Sequence, residues 1–287
     1  MELTSKSNLR SAYADKVHES SSNLHMLEPE KLNLQGERRV ALVTGGARGI
    51  GLEIVRRFLA DGHLVAFVAT RADHVDRALE GLSYLEERLY AEAIDVTRQY
   101  DVEGFVSRIR ARWGKIAILV NNAGISPKRA DPDATWLAQM SAVEWARVID
   151  VNLNSPFNLI RILAPEMIGQ SYGRIINVGS LAGRAMPLVA GPHYAASKAG
   201  LVGLTRAAAR DLAPHGITVN CIAPGRILSD LTGAAEAPVN QSALSRIPVG
   251  RFGTAEEVAH VAAFLASPMA SFITGATIDV TGGEFAS

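Results

Sequence analysis

A tyrosine and a lysine four residues apart, Tyr194 and Lys198, could form an acid–base pair, and Ser180 lies fourteen residues before the tyrosine. The i, i+4 spacing places two side chains on one face of a helix. A phenol with an ordinary pKa of about 10 is poorly suited to proton transfer at neutral pH, but a nearby ammonium lowers that pKa. Tyr194 could then donate a proton to a carbonyl oxygen or accept one from an alcohol, with Ser180 hydrogen-bonding the same oxygen.

Each of these residues also has an ordinary structural explanation. A Tyr-x-x-x-Lys pair occurs by chance on many surface helices, and Ser180 could simply cap the end of an apolar strand. Ser180 could also be an acyl-transfer nucleophile, but Val178 and Ala182 occupy the positions where a nucleophile elbow requires glycine. Taken alone, the spacing is weak evidence for carbonyl chemistry.

A glycine-rich loop supplies a second candidate site. It runs Thr44-Gly45-Gly46-Ala47-Arg48-Gly49-Ile50-Gly51 between an apolar strand and a predicted helix. In this arrangement Gly45 permits a tight turn, Gly49 lets the backbone approach a pyrophosphate, and Gly51 allows close helix–strand packing. The helix N-terminus offers free N–H groups and a positive dipole end to phosphate. A plain turn that uses glycine for its positive φ is the alternative, but the flanking strand and helix favour dinucleotide binding.

The elements that must position these motifs alternate between strand and helix. Seven apolar segments are predicted as buried strands: 40–43, 64–69, 90–94, 116–120, 174–178, 217–222 and 276–280. Helices are predicted between them over 50–60, 73–82, 102–112, 142–168, 194–212 and 255–265. This pattern predicts an α/β fold with a single Rossmann-type, doubly wound parallel sheet of about seven strands and helices on both faces. Ligands of such sheets bind outside the carboxyl ends of the strands.

The composition excludes several classes of protein. The 287 residues include 29 Lys and Arg and 29 Asp and Glu, and zero formal net charge argues against nucleic acid or an anionic membrane as the main partner. No apolar run approaches the roughly 18 residues of a transmembrane helix. The single cysteine, Cys221, excludes a disulfide framework and a cysteine-based metal site. The histidines lack the spacing of metal ligands, so no metal is predicted. Without a long apolar run or a set of paired cysteines, we expect a cytoplasmic protein.

Residues 1–36 differ from the rest of the chain. They are rich in serine, mixed in charge and without apolar periodicity, and they lack the apolar core of a signal peptide. We predict a flexible or loosely docked N-terminal extension over 1–36, followed by one Rossmann-fold domain over 37–287. Met26 is an alternative translation start.

Several motifs together make the chain resemble the short-chain dehydrogenase/reductase family, and most closely its 3-oxoacyl-[acyl-carrier-protein] reductase branch. The resemblance covers residues 37–284, nearly the whole chain outside the extension. It depends on motifs in the order and spacing of that family: Thr44-Gly45-x-x-x-Gly49-Ile50-Gly51, Asp95-Val96, Asn121-Asn122-Ala123-Gly124, Asn152, Ser180, Tyr194-x-x-x-Lys198 and Pro224-Gly225. It implies a seven-stranded parallel sheet, a nicotinamide cofactor and assembly as a homotetramer.

The resemblance also implies roles for the matched residues. Tyr194 would be the general acid/base, Lys198 would lower its pKa and hold the nicotinamide ribose, and Ser180 would position the substrate carbonyl. Asn152 would shape the helix that holds a water in the proton relay. With the glycine loop and the end of the second strand, the predicted cofactor-binding residues are Gly45, Gly46, Ala47, Arg48, Gly49, Ile50, Gly51, Thr70, Arg71, Asp95, Val96, Asn122, Ala123, Gly124, Tyr194, Lys198, Pro224, Gly225 and Ile227.

Some of these residues have local alternatives. Asp95 could cap a turn, Asn121-Asn122 could form a strand-terminating Asx turn, and Pro224-Gly225 is found in turns of every kind. His193, next to Tyr194, is interpreted as a pocket wall or a satisfied polar residue rather than a second base.

The end of the second strand predicts NADP(H) rather than NAD(H). Enzymes that prefer NAD usually place an acid there to bind the ribose hydroxyls, whereas this strand ends Val68-Ala69-Thr70-Arg71. The Arg48 and Arg71 guanidinium groups suit the charged, bidentate hydrogen bonding of a 2′-phosphate. Ordinary surface arginines are the alternative.

The substrate is open between two classes. Reductases of the resembled branch present arginines to an acyl carrier protein where this chain has Ser171 and His215, which weakens attraction to an acidic partner. A free small ketone, hydroxy acid or sugar therefore competes with an acyl thioester. A dinucleotide-sensing protein without turnover is the non-enzyme alternative, and the intact set of Asn152, Ser180, Tyr194 and Lys198 argues against it. The segment 125–140 is predicted to border the substrate entrance, and the segment 229–248 is predicted to be the substrate lid.

Overall fold

The computed structural model describes residues 37–128, 136–186, 189–228 and 237–285. The predicted extension over 1–36 lies outside the described residues, as do parts of the predicted entrance and lid segments, at 129–135 and 229–236. The extension and its boundary with the Rossmann-fold domain therefore stay predictions.

A parallel sheet of seven strands in the order β3-β2-β1-β4-β5-β6-β7 forms the centre of the described chain. The strands are β1 (Val40–Thr44), β2 (Leu64–Ala69), β3 (Leu89–Ala93), β4 (Ile116–Asn121), β5 (Gly173–Val178), β6 (Ile217–Pro224) and β7 (Thr277–Val280). All six neighbouring pairs are parallel. The strand order reverses between β1 and β4, and such a switch point opens a crevice at the carboxyl ends of the strands.

Helices connect the strands and cover the sheet. The α-helices are α1 (Gly49–Ala60), α2 (Ala72–Glu80), α3 (Gln99–Trp113), α4 (Trp136–Gln139), α5 (Ala142–Ile149), α6 (Ser155–Gln170), α7 (Pro192–Leu212), α8 (Pro238–Leu244) and α9 (Ala255–Ala266). Single 3-10 turns add Ser83–Arg88, Leu181–Gly183, Ala213–His215 and Pro268–Ala270.

Strand alternation divides the apolar side chains into two cores. In β1, Ala41 and Val43 face the core that α1, α2 and α9 cover, whereas Val40 and Leu42 face the core that α3, α6 and α7 cover. Because both faces are buried, the central strands are almost continuously apolar. The predicted doubly wound α/β fold with helices on both faces is confirmed.

One predicted helix is wrong in detail. The expected continuous helix over 142–168 is two helices, α5 and α6, separated by a π-helical turn over Asp150–Asn154. Pro156, in the first turn of α6, has no amide hydrogen and cannot donate the α-helical bond to the carbonyl of Asn152. The amide of Ser155 instead donates to the carbonyl of Asp150, five residues earlier. Such π turns occur frequently at functional sites.

Candidate functional site

Tyr194, Lys198 and Ser180 come together at the carboxyl end of β5. Tyr194 and Lys198 lie in the first two turns of α7, and the Lys198 Nζ atom is 5.6 Å from the centre of the Tyr194 ring. Ser180 follows β5, where its hydroxyl accepts a bond from the Ala182 amide at 3.1 Å and hydrogen-bonds the Tyr194 phenol. The predicted alignment of these three side chains is thus present in the structure.

The pKa of Tyr194 differs from the expectation. Burial raises the pKa of the phenol above its ordinary value, and the hydrogen bond with Ser180 lowers it only partly. Lys198 is itself buried, and burial lowers the pKa of its ammonium to about 8. The Lys198 Nζ atom donates to the carbonyl oxygen of Val178 at 2.7 Å. The predicted lowering of the Tyr194 pKa by Lys198 is therefore not what this geometry produces.

Asn152 links the end of β4 to the catalytic helix. Its side chain accepts from the Ile125 amide at 2.9 Å and donates to the Ile125 carbonyl at 3.0 Å. It also donates to the Ser197 hydroxyl at 3.0 Å, and that hydroxyl donates to the Tyr194 carbonyl at 2.7 Å. Asn152 and Ser197 are fully buried. The π turn thus brings Asn152 into contact with both the β4 loop and α7.

The glycine loop has the geometry of a phosphate cradle. Gly45 and Gly49 have positive φ values of 68° and 53°, and the Gly45 amide donates to the Val68 carbonyl at 2.8 Å. A Cβ atom on Gly51 would lie 2.1 Å from the Gly45 carbonyl oxygen, so only glycine allows this approach of α1. Arg48 precedes α1 with no side-chain cap on the first turn. The uncapped N–H groups suit an anion.

Other residues of the loop have structural roles. A Cβ atom on Gly46 would lie 2.4 Å from the Cβ of Phe67, so this glycine makes room for core packing. The side chain of Ala47 is also buried in the core, and Ile50 packs against it. Gly46 has no side chain, and the side chains of Ala47 and Ile50 pack in the core. Only the backbone groups of these residues are left for contact with a cofactor.

The loop after β4 is bound to the loop after β1. The Thr44 hydroxyl accepts from the amides of Asn122 and Ala123, both at 3.0 Å. The Asn122 side chain donates to the carbonyl oxygens of Thr44 and Gly45 at 2.9 and 3.1 Å. A Cβ atom on Gly124 would lie 3.5 Å from the Lys198 Nζ atom. Asn122 therefore braces the glycine loop, and Gly124 lies next to the Lys198 ammonium.

Asp95 is engaged in two interactions of its own. Its carboxylate accepts from the amide and hydroxyl of Thr97, at 3.0 and 2.8 Å, and from Arg147 of α5 at 2.8 Å. These hydrogen bonds outweigh the effect of burial and hold the pKa of Asp95 below its ordinary value. The turn-capping alternative for Asp95 is thus realised in the structure, and the side chain of Val96 is buried in the core.

Arg71 is paired with a carboxylate two residues later. Its Nε and Nη2 atoms donate to the two oxygens of Asp73 at 2.9 Å each, and Arg77 donates to the same carboxylate at 3.0 Å. The side chains of Arg71 and Asp73 are 65% and 50% exposed. The hydrogen bond with Arg71 lowers the pKa of Asp73 to about 2. Asp73 thus occupies the fork of the arginine that was expected to bind phosphate, while Thr70 is exposed.

The loop after β6 connects to a helix of the predicted lid segment. The Gly225 amide donates to the Val280 carbonyl at 2.9 Å, and Ile227 is buried. Between them, Arg226 donates from its Nε atom to the Asn240 side-chain oxygen at 2.8 Å. Pro224 ends β6. The predicted Pro-Gly-x-Ile segment and α8 are therefore joined by a hydrogen bond.

Sequence reasoning missed several residues that organise this site. Ser197, Thr44, Arg147 and Asp73 were not assigned, and the partners of His193 were not foreseen. Ser197 could have been found because it is a small polar residue three positions after Tyr194 in the same helix. Among the described residues, no group of three or more His, Cys, Asp or Glu side chains could hold a metal ion. In that part of the chain no helix is long and apolar enough to cross a lipid bilayer.

Comparison with known proteins decides the family. Residues 45–284 match the family model described as enoyl-(acyl carrier protein) reductase. The chain is 39% identical over 246 residues to the 3-oxoacyl-[acyl-carrier-protein] reductase FabG of Staphylococcus epidermidis, an alignment that covers 85% of this chain and 98% of the relative. The chain belongs to the short-chain dehydrogenase/reductase family. The predicted family is thereby confirmed, and the chain is an NAD(P)-dependent oxidoreductase that acts on carbonyl and alcohol groups.

Solved structures of this family share the fold. A 3-oxoacyl-[acyl-carrier protein] reductase from Brucella melitensis with bound NAD has a TM-score of 0.79 and 37% identity, covering 92% of this chain and 98% of its own. A putative gluconate dehydrogenase from Agrobacterium tumefaciens has a TM-score of 0.80 and 32% identity, covering 88% and 96%. One of these enzymes is named for a 3-oxoacyl substrate and the other for gluconate, so similarity of fold alone does not decide the substrate of this chain.

Proposed function

We propose that the chain is an NADP(H)-dependent reductase of 3-oxoacyl thioesters, in which Tyr194 transfers the proton. The observation that carries the proposal is the cluster of Tyr194, Ser180 and Lys198 at the carboxyl end of β5. The glycine loop follows β1 at the same edge of the sheet. The choice of a 3-oxoacyl thioester as the substrate follows the name of the Staphylococcus relative, a 3-oxoacyl-[acyl-carrier-protein] reductase.

The described residues fit a dinucleotide. The uncapped first turn of α1 and the left-handed glycines would hold the pyrophosphate, and Gly124 leaves space beside the Lys198 ammonium. When bound, the nicotinamide supplies or accepts the hydride at the carbonyl carbon. Ser180 would hydrogen-bond the substrate oxygen and Tyr194 would exchange a proton with it. Burial raises the pKa of Tyr194, so the phenol holds the proton that it would transfer to the carbonyl oxygen in a reduction.

The preference for NADP(H) is part of this proposal. Arg48 is exposed beside the glycine loop, and Arg71 is exposed at the end of β2. A 2′-phosphate would have to compete with Asp73 for the Arg71 guanidinium, which implies a moderate preference rather than strict selectivity. Arg71 is exposed, so solvent and salt screen this competition.

A free hydroxy acid or sugar acid is the second candidate substrate, favoured by one observation. Ser171 and His215, which stand in place of carrier-binding arginines, bear no fixed positive charge that would attract an acidic carrier protein. The putative gluconate dehydrogenase of the same fold has a substrate of this second kind in its name. A dinucleotide sensor without turnover remains the least supported alternative.

The first experiment follows NADPH oxidation by absorbance with acetoacetyl-CoA, acetoacetyl carrier protein and a panel of ketones and keto acids, with NADH in parallel. Turnover of the thioesters with NADPH is expected. Turnover confined to a small keto acid would discard the thioester and keep the reaction class. A preference for NADH would overturn the cofactor assignment.

We further propose a homotetramer located in the cytoplasm. Apolar side chains are exposed on two helices that follow each other in the chain, Val143 and Trp145 on α5 and Phe157 on α6. Several large apolar side chains exposed on neighbouring helices are consistent with a surface that binds another copy of the chain. Light scattering coupled to size exclusion would measure the mass, and a monomer at micromolar concentration would contradict the proposal.

A further inference from the structure

The backbone of Tyr194 is held by side chains at both its polar groups. Its carbonyl oxygen accepts from Ser197 at 2.7 Å, and its amide donates to the Nδ1 atom of His193 at 2.7 Å. This amide lies in the first turn of α7, where backbone donors have no partner within the helix. Gly191, the residue that caps α7, has no side chain to serve it. The ring of His193 takes the place of that missing cap.

A carboxylate fixes the ring of His193 in turn. The Nε2 atom of His193 lies 2.9 Å from Oε1 of Glu144 on α5. Because Nδ1 accepts the Tyr194 amide, the proton of a neutral ring is on Nε2, which donates to Glu144. His193 is fully buried, whereas the Glu144 side chain is 39% exposed. The order of donors therefore runs from Tyr194 through His193 to Glu144.

The helix that provides Glu144 is itself anchored. Three residues after Glu144, Arg147 donates to the Asp95 carboxylate at 2.8 Å and to the Thr97 hydroxyl at 3.0 Å. α5 then continues into the π turn that contains Asn152. The helix that carries Glu144 is therefore held in place on two sides. Arg147 binds the loop after β3, and Asn152, in the π turn that follows, binds Ser197 of α7.

We propose that Glu144 and His193 form a positioning pair that sets the orientation of Tyr194 for proton transfer. The inference rests on the proposed role of Tyr194. Loss of the Glu144 carboxylate would remove one hydrogen bond that orients the ring of His193, and the bond from the Tyr194 amide to that ring would weaken. The phenol would then shift relative to Ser180 and the substrate oxygen, while the cofactor loops, which Glu144 does not contact in any described hydrogen bond, would keep their geometry.

The test uses three variants of the full chain. Glu144→Ala removes the acceptor but retains the Ser141 cap of α5, which bonds the backbone amide of residue 144 at 3.0 Å. Glu144→Gln keeps an acceptor oxygen. Glu256→Ala is the matched control, because Glu256 also lies in the first turn of a helix and faces a histidine Nε2, that of His260, at 3.8 Å.

We expect Glu144→Ala to lower kcat about tenfold with the KM for NADPH within about twofold, since small displacements of a reacting group have effects of this size. Glu144→Gln should retain most of kcat and Glu256→Ala all of it. The solvent isotope effect on kcat should rise in Glu144→Ala, because proton transfer becomes slower. Melting temperatures of all variants would exclude partial unfolding.

Two results would overturn the inference. One is unchanged kcat in Glu144→Ala. The other is an equal loss in Glu144→Gln and Glu144→Ala, which would show that the charge and not the hydrogen bond matters. The variant His193→Phe, which cannot accept the Tyr194 amide, gives a second route to the same comparison. Tyr194→Phe distinguishes a failure of the positioning pair from a failure of the proposed function. Retained activity in that variant would overturn the proposed role of Tyr194 itself.

Discussion

The proposed catalytic end of the site and its proposed adenosine end are built by different physical means. Lys198 and Asn152 are buried, and hydrogen bonds join them to backbone groups of β5, the β4 loop and, through Ser197, α7. At the adenosine end, Arg71 and Asp95 make ion pairs that remain open to solvent. Buried networks fix geometry strongly, whereas exposed ion pairs are screened and contribute little to stability. Substitutions at the two ends should therefore differ in size as well as in kind.

The largest effect is expected from Tyr194→Phe. Removing the phenolic hydroxyl removes the proton donor and should lower kcat by about 100-fold or more. The aromatic ring is kept, so the affinity for NADPH, measured by fluorescence titration, should stay within about twofold of the native value. Near-native turnover would show that another group transfers the proton.

A pair of matched substitutions tests the difference in stability between the two ends. Asn152→Ala leaves the Ile125 amide and carbonyl without their side-chain partner and should lower the free energy of unfolding by about 1–3 kcal/mol. Arg147→Ala breaks the exposed pair with Asp95 and should cost at most about 1 kcal/mol. Denaturant titration of both variants measures the two values. Equal losses would contradict the comparison.

The buried lysine gives the catalytic end its own pH dependence. Burial lowers the pKa of Lys198 to about 8, while in the unfolded chain the lysine keeps a pKa of about 10.5. Between these values the unfolded chain binds more protons, so this group makes the folded state more stable as the pH rises. The stability of the native protein relative to Lys198→Met should therefore increase from pH 7.5 to pH 9.5. A constant difference would show that Lys198 keeps an ordinary pKa.

The smallest effects are expected at Arg71. Arg71→Ala should raise the KM for NADPH only about threefold because the guanidinium is exposed and screened, and Asp73→Asn should lower it by a similar factor because the competing carboxylate is gone. The KM for NADH should change little in either variant. Arg98→Ala, at another exposed and ion-paired arginine, is the control. Parallel changes with both cofactors would indicate that Arg71 does not contact the 2′-phosphate.

Residue types and periodicity were sufficient to predict the sheet and the proximity of Tyr194, Lys198 and Ser180. The strands follow from apolar runs because both faces of a parallel sheet are buried, and Leu64–Ala69 has the predicted bounds. The alignment of Tyr194 with Lys198 follows from helical spacing alone. Fold, family and reaction class are confirmed, whereas the individual site assignments stay predictions.

What the sequence did not predict depends on contacts between distant residues or on burial. The direction of the Tyr194 pKa shift is set by the surroundings of the phenol, which no local pattern encodes. The bond between Glu144 and His193 joins residues 49 positions apart. The pairing of Arg71 with Asp73 is local, but two exposed charges of opposite sign near each other are too common to predict a defined fork.

Pro156 has a consequence for the angular register of the long α5–α6 segment. It cannot make the α-helical bond to Asn152, and the Ser155 amide before it bonds five residues back, so one extra residue is accommodated between the two helices. A residue occupies about 100° of an α-helix, so a continuous α-helix would turn Asn152 away from Ile125 and Ser197 by about 100°, slightly more than a right angle. A buried proline thus influences which way the Asn152 side chain faces, through the hydrogen atom that it lacks.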